Sequence, residues 1–274
     1  MDSTTRTEVR HLSRPGGRVA YEVRGQGPLV VAVPGMGDLR STYRYLVPAL
    51  VEAGYRVATT DLRGHGDSDA TFPVYGDAAT GGDVLALVAE LGGPAVVVGN
   101  SMGAGAAVWA AAERPDLVSG LVLVGPFVRD APLGELARIG LRVAMLSPWA
   151  AWSWKAYLPK LYAGRRPVDF AEHRAATVAG IRRPGYRTAF SRTTRISHAP
   201  AQARLAQVRA PSLVVMGELD PDFTSPADEA AWIASRLGST VVMVPDAGHY
   251  PQSQRPEVTS AAVLDFLAET VPGA

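Results

Sequence analysis

The sequence predicts an α/β fold: a doubly wound, mostly parallel β-sheet of about eight strands, interrupted once by a helical insertion. Three observations predict it. Short apolar runs of strand length alternate with segments of helix length, the pattern of a parallel sheet covered on both faces. The strand signal vanishes between Phe127 and about Val208, where the chain is helical, Pro-interrupted and rich in Arg and Trp, and then resumes. The run from Ala95 to Gly105 reads as strand, sharp turn and helix, with Ser101 at the apex.

In chain order, Thr7–Leu12 and Arg18–Arg24 alternate around Arg14-Pro15-Gly16-Gly17 and predict a β-hairpin. Leu29–Val33 is a continuous apolar run, the signature of a strand buried on both faces. Pro34-Gly35-Met36-Gly37-Asp38 breaks it. Ser41–Ala53 has helical spacing and stops at Gly54. Tyr55–Thr60 is the next strand, and the Asp61–Ser68 loop follows. Asp77–Leu91 is a helix stopped by Gly92-Gly93-Pro94. After the apex, Met102–Arg114 is alanine-rich with good helix propensity, and Leu117–Val124 is another buried strand. Beyond the insertion come a strand (Ser212–Met216), a helix (Pro226–Leu237), a strand (Thr240–Val244) and a closing helix (Pro256–Thr270). The chain therefore divides into a core of residues 1–126 and 209–274 and an insertion of residues 127–208. The insertion leaves the sheet at the carboxyl ends of the strands, where open α/β sheets bind ligands.

With 274 residues and 47% apolar content, the chain can bury one large core. No stretch reaches the roughly 18 apolar residues of a membrane span. Met1–Arg10 is polar and mixed in charge, unlike a signal peptide. The absence of cysteine excludes disulfides and thiol chemistry and argues against a zinc site. A cytoplasmic location is the expectation. A net charge of +1 argues against nucleic-acid binding. The charge is uneven, however. Residues 127–209 hold fifteen Lys and Arg against four acids, a net of +11, and the remainder of the chain stands at −10.

Gly99-Asn100-Ser101-Met102-Gly103 is the G-x-S-x-G arrangement of a nucleophile elbow, whose small flanking residues let strand and helix approach. A serine hydroxyl needs a base, and the base an orienting carboxylate. In this architecture they follow in the order serine, acid, histidine. Downstream of Ser101, His173 and His198 fall in the insertion, whereas His249 follows the last strand in Asp246-Ala247-Gly248-His249. Three carboxylates follow the penultimate strand in Gly217-Glu218-Leu219-Asp220-Pro221-Asp222; Asp220 is the candidate acid, with Glu218 and Asp222 as alternatives. The backbone N–H groups of Met102 and Met36 are the candidate oxyanion donors.

Together these motifs, with Asp61-Leu62-Arg63-Gly64-His65-Gly66-Asp67-Ser68, resemble the α/β-hydrolase superfamily, and most closely its small lidded branch of esterases, perhydrolases, carbon–carbon hydrolases and lactonases. The resemblance covers the whole chain, the insertion least. It implies a serine hydrolase with no metal or organic cofactor, and a structural role for His65. It also marks a departure: Pro34-Gly35 stands where the family usually has His-Gly. An Asp at the apex would suit epoxide hydrolases or dehalogenases; this chain has Ser101.

The expected activity is hydrolysis of a carboxylic ester or similar small molecule with an apolar acyl group. The alternatives are a lactone or carbon–carbon hydrolase with the same triad, or a ligand-binding protein on the same scaffold. Trp149, Trp152 and Trp154 are expected to line the acyl pocket. The charge asymmetry reads first as complementarity between insertion and core, with a solvated outer face; attraction of an anionic substrate and contact with a membrane surface are the weaker readings. Nothing in the sequence addresses oligomeric state.

Overall fold

The computed structural model describes residues 8–130 and 135–271. Thr7 of the expected hairpin and residues 131–134 of the insertion lie outside the described residues. Eight strands form one open sheet in the order β1-β2-β4-β3-β5-β6-β7-β8. β1 (Arg10–Arg14) and β2 (Gly17–Arg24) are the antiparallel hairpin, and β2 also runs antiparallel to β4 (Arg56–Thr60). β3 (Leu29–Val33) lies between β4 and β5 (Ala95–Asn100), and β6 (Val118–Val124), β7 (Ser212–Gly217) and β8 (Thr240–Val244) follow, all parallel.

Strand alternation sends successive side chains to opposite faces. Val30, Ala32, Val96, Val98, Val122 and Val124 pack with α1 (Leu46–Glu52) and α11 (Pro256–Thr270). Val31, Val33, Val97, Leu121 and Leu123 pack with α2 (Asp77–Glu90), α3 (Met102–Glu113) and α9 (Pro226–Leu237). Both faces are covered, as continuous apolar strands require. The helix expected over Ser41–Ala53 is divided: a 3₁₀ turn at Arg40–Tyr43 precedes α1. Pro48 explains the division, because it cannot donate to the Arg44 carbonyl and its ring crowds that group.

Between β6 and β7, the described residues carry five helices: α4 (Glu135–Ala144), α5 (Ala150–Leu161), α6 (Phe170–Arg182), α7 (Tyr186–Thr193) and α8 (Ala199–Gln202). Pro159 sits inside α5 and leaves the Lys155 carbonyl without its helical donor. Arg174 of α6 supplies one, donating to that oxygen at 3.0 Å. These helices dock on loops at the carboxyl ends of the strands. The His249 N–H donates to the Leu161 carbonyl at 2.8 Å, and the Arg165 N–H to the Asp246 carbonyl at 3.0 Å. Charge pairs join insertion to core as well: Arg129–Glu229 at 2.5 Å, Arg204–Glu113 at 2.5 Å, Arg165–Glu257 at 3.0 Å, and, with the signs reversed, Arg44–Asp169 at 2.6 Å. Part of the basic excess of the insertion therefore faces acids of the core. Among the described residues no helix is long and apolar enough to cross a membrane.

β5 passes into α3 through Ser101, whose backbone is left-handed at φ 54°, ψ −121°. Such a turn needs strand and helix almost in contact, and a Cβ on Gly99 would run into the Gly103 carbonyl. Gly99→Ala should therefore cost roughly 1–3 kcal/mol by overpacking, read as a lower urea midpoint at unchanged m-value. A wild-type midpoint would mean the turn can relax.

Candidate active site

Ser101, Met36, Asp220 and His249 come from four loops at the carboxyl ends of β5, β3, β7 and β8. The Ser101 N–H donates to the Val124 carbonyl at 2.9 Å, and its own carbonyl accepts from Ala104 and Phe127. Asn100 ties this turn to the histidine loop. Its side-chain amide donates to the carbonyls of Val124 (3.0 Å) and His249 (3.2 Å). The loop after β3 lies directly on the turn, since a Cβ on Gly35 would stand 2.8 Å from the Ser101 Cβ. Met102 N–H, first in α3, has no intrahelical acceptor, and Met36 N–H has no acceptor among the described residues.

His249 is buried, and its Nδ1 lies 2.7 Å from Asp220 Oδ2. Burial disfavours charge on the ring. Asp220 overrides this, with smaller help from Asp222 and Asp38, and pushes His249 above its ordinary value. Of the other carboxylates in the acid loop, Glu218 is exposed, whereas Asp222 Oδ2 reaches within 3.8 Å of the same Nδ1. Among the described residues Asp220, Asp222 and His249 are the one group with the composition and spacing of a metal site. Its imidazole nitrogen is already engaged by Asp220.

His65 braces the loop after β3. Its Nε2 accepts from the Gly37 N–H at 3.0 Å and its Nδ1–H donates to the Arg63 carbonyl at 2.9 Å, which defines a neutral ring; burial lowers its pKa in the same sense. Trp154, buried, braces the other side by donating from Nε1 to the Gly37 carbonyl at 2.8 Å, with Phe190 edge-on against it. Trp149 and Trp152 are not brought to this group: they are 45% and 69% exposed. The two histidines of the insertion each meet a buried carboxylate of the core, His173 with Asp38 at 2.7 Å and His198 with Asp77 at 3.1 Å.

Gln254 was not foreseen. Its Oε1 accepts from the Gly248 and Tyr250 N–H groups on either side of His249, and its Nε2 donates to the carbonyls of Ala163 and Arg165. The signal is faint: a glutamine five residues past the histidine, one turn into a short helix, α10 (Pro251–Gln254). A separate cleft of about 610 Å³, lined by Glu22, Arg40, Val47, Thr59 and Arg183 among others, includes neither Ser101 nor His249.

Comparison with known proteins agrees with this architecture. The chain is 30% identical over 262 residues to a 2-(acetamidomethylene)succinate hydrolase from Mesorhizobium japonicum, covering 92% of each chain. Its fold matches a bromoperoxidase from Bacillus anthracis (TM-score 0.82, 21% identity, 95% of this chain and 99% of the other). It also matches a thermophilic esterase from Thermogutta terrifontis (TM-score 0.78, 24% identity, 96% and 99%). Residues 30–262 match the profile of the alpha/beta hydrolase family. With that match spanning most of the sequence, the chain belongs to the α/β-hydrolase family.

Proposed function

We propose that the chain is a serine hydrolase acting on a carboxylic ester or related compound with an apolar acyl group, with Ser101, His249 and Asp220 as its triad. The observation that carries the reading is a serine on a left-handed strand-to-helix turn whose neighbour Asn100 is hydrogen-bonded to the loop of a buried histidine, itself held at Nδ1 by a buried carboxylate. In this scheme the Ser101 hydroxyl attacks the carbonyl and His249 Nε2 takes its proton. Asp220 fixes the tautomer and stabilises the imidazolium. The N–H groups of Met36 and Met102 hold the tetrahedral oxyanion. The imidazolium protonates the leaving group, and water activated by His249 then releases the acid. Residues 127–208 act as a lid over the core of 1–126 and 209–274. Of the three tryptophans, Trp154, bonded to Gly37 one residue past Met36, is the one proposed to border the acyl group.

Ser101→Ala should lower kcat/KM for 4-nitrophenyl acetate by several orders of magnitude and abolish labelling by a fluorophosphonate. Retention of a tenth of wild-type activity by folded protein would remove Ser101 from the mechanism. Asp220→Asn should lose roughly three to four orders, and Glu218→Gln, on an exposed side chain, very little; the reverse ranking would move the acid.

The pH profile gives an independent check. His249 acts as base only when neutral, and its surroundings favour the charged form. Protonation at low pH therefore removes activity, and kcat/KM should rise with pH through a midpoint above the ordinary histidine value of about 6.5. A midpoint at or below that value would contradict the charge environment described for the ring.

A further inference from the structure

Two carboxylates face Nδ1 of His249. Asp220 Oδ2 is the nearer at 2.7 Å and Asp222 Oδ2 the farther at 3.8 Å. Asp222 is held with care for a loop residue. Its N–H donates to Asp220 Oδ1 at 3.1 Å, and its Oδ1 accepts from the hydroxyl of Tyr157 on α5. Tyr157 in turn lies against Trp154, at 6.0 Å between ring centroids, and Trp154 is bonded to Gly37 of the loop after β3. One side chain of the insertion thus reaches the acid loop while its neighbour reaches the oxyanion loop.

We propose that Asp222 and Tyr157 are a positioning pair for the base: Asp222 is a second carboxylate supporting the imidazolium of His249, and Tyr157 is the insertion's donor that holds it there. The inference rests on the reading of Ser101, His249 and Asp220 as the triad.

The surrounding charges single out this pair. Asp38, on the loop after β3, also raises His249, but it has its own partner in His173, which holds that carboxyl below its ordinary value against the opposing effect of burial. Tyr250 beside the ring is kept a neutral phenol by burial. On the other face Phe127 stands 5.9 Å from His249, and behind it His198 is paired with Asp77. Asp222 differs from all of these. Among the described residues no Arg or Lys pairs with it, and the one cation it meets is His249. Burial, with the neighbouring charge of Asp220, raises its pKa, which the imidazolium and the Tyr157 hydroxyl oppose. The same burial pushes Tyr157 upward, so the phenol stays a donor. Support for the imidazolium assists every step in which His249 carries the proton, at the cost of activity in acid.

The test compares wild type, D222N, Y157F and the double variant by two readouts: the kcat/KM profile for 4-nitrophenyl acetate against pH, and the imidazole ¹⁵N NMR titration of His249, which needs no turnover. D222N should move the His249 midpoint down by about one pH unit. Y157F, which keeps the ring in place, should move it the same way by less. The double variant should match D222N, because Tyr157 acts through Asp222. Midpoints that stay at the wild-type value in D222N and Y157F, with only the plateau lowered, would overturn the proposal and leave the pair a packing contact. Should D222N fold poorly, Y157F decides alone. S101A keeps the two readings apart: if S101A remained active the triad reading would fail, whereas shifted NMR midpoints in D222N would still uphold the charge coupling.

Discussion

The left-handed backbone at Ser101 is the constraint on which the rest depends. A non-glycine residue there stores about 1–3 kcal/mol and persists only where its surroundings over-determine it. The surroundings do so through three elements. β6 takes the Ser101 N–H, Phe127 and Ala104 donate to its carbonyl, and β5 and α3 meet through glycines with no room between them. Asn100, one residue earlier, carries the constraint across the sheet by donating to the His249 carbonyl. Serine turn and histidine loop are thereby parts of one hydrogen-bonded unit built on the β5–β6 pair.

The insertion is fastened to that unit by charge and by backbone. Its two histidines and three of its arginines, Arg129, Arg165 and Arg204, meet carboxylates of the core, which answers part of the basic excess of the insertion. The most buried of these contacts, Asp38 with His173, lies two residues past Met36, so a residue of α6 helps set the loop that carries the candidate oxyanion donor. Such a buried pair is weak ground for net stability, because desolvation offsets attraction. Its effect is to fix where α6 sits, while Trp154 and His65 fix Gly37 from either side.

The core was legible because its signals are local. β3, β8, α9 and α11 occupy the spans that apolar runs and N-terminal prolines indicate. The chain order of Ser101, Asp220 and His249 was readable because each follows a strand. What the sequence hid is long-range. Tyr157 meets Asp222 across 65 residues, His173 meets Asp38 across 135, and Gln254 meets Ala163 across 91. No spacing rule connects such partners; only the docking of the insertion does. The tryptophans show the same limit, since Trp152 and Trp154 are alike in sequence and differ only in the side of α5 they occupy. The division of the expected Ser41–Ala53 helix was locally encoded in Pro48.

The bond between the Leu161 carbonyl and the His249 N–H bears on how such a chain can be rebuilt. Leu161 ends α5, where a helix leaves its last carbonyls without internal partners, and the histidine loop takes one of them. The contact is main chain to main chain, so it is indifferent to which side chain occupies position 161. It is sensitive to register instead: lengthening or shortening α5 by a single residue turns its terminal carbonyl by about 100° and shifts it by about 1.5 Å. A substitution at position 161 leaves this bond in place, whereas recombining α5 with a helix of different length would withdraw the backbone support of His249 even if every side chain around the ring were retained.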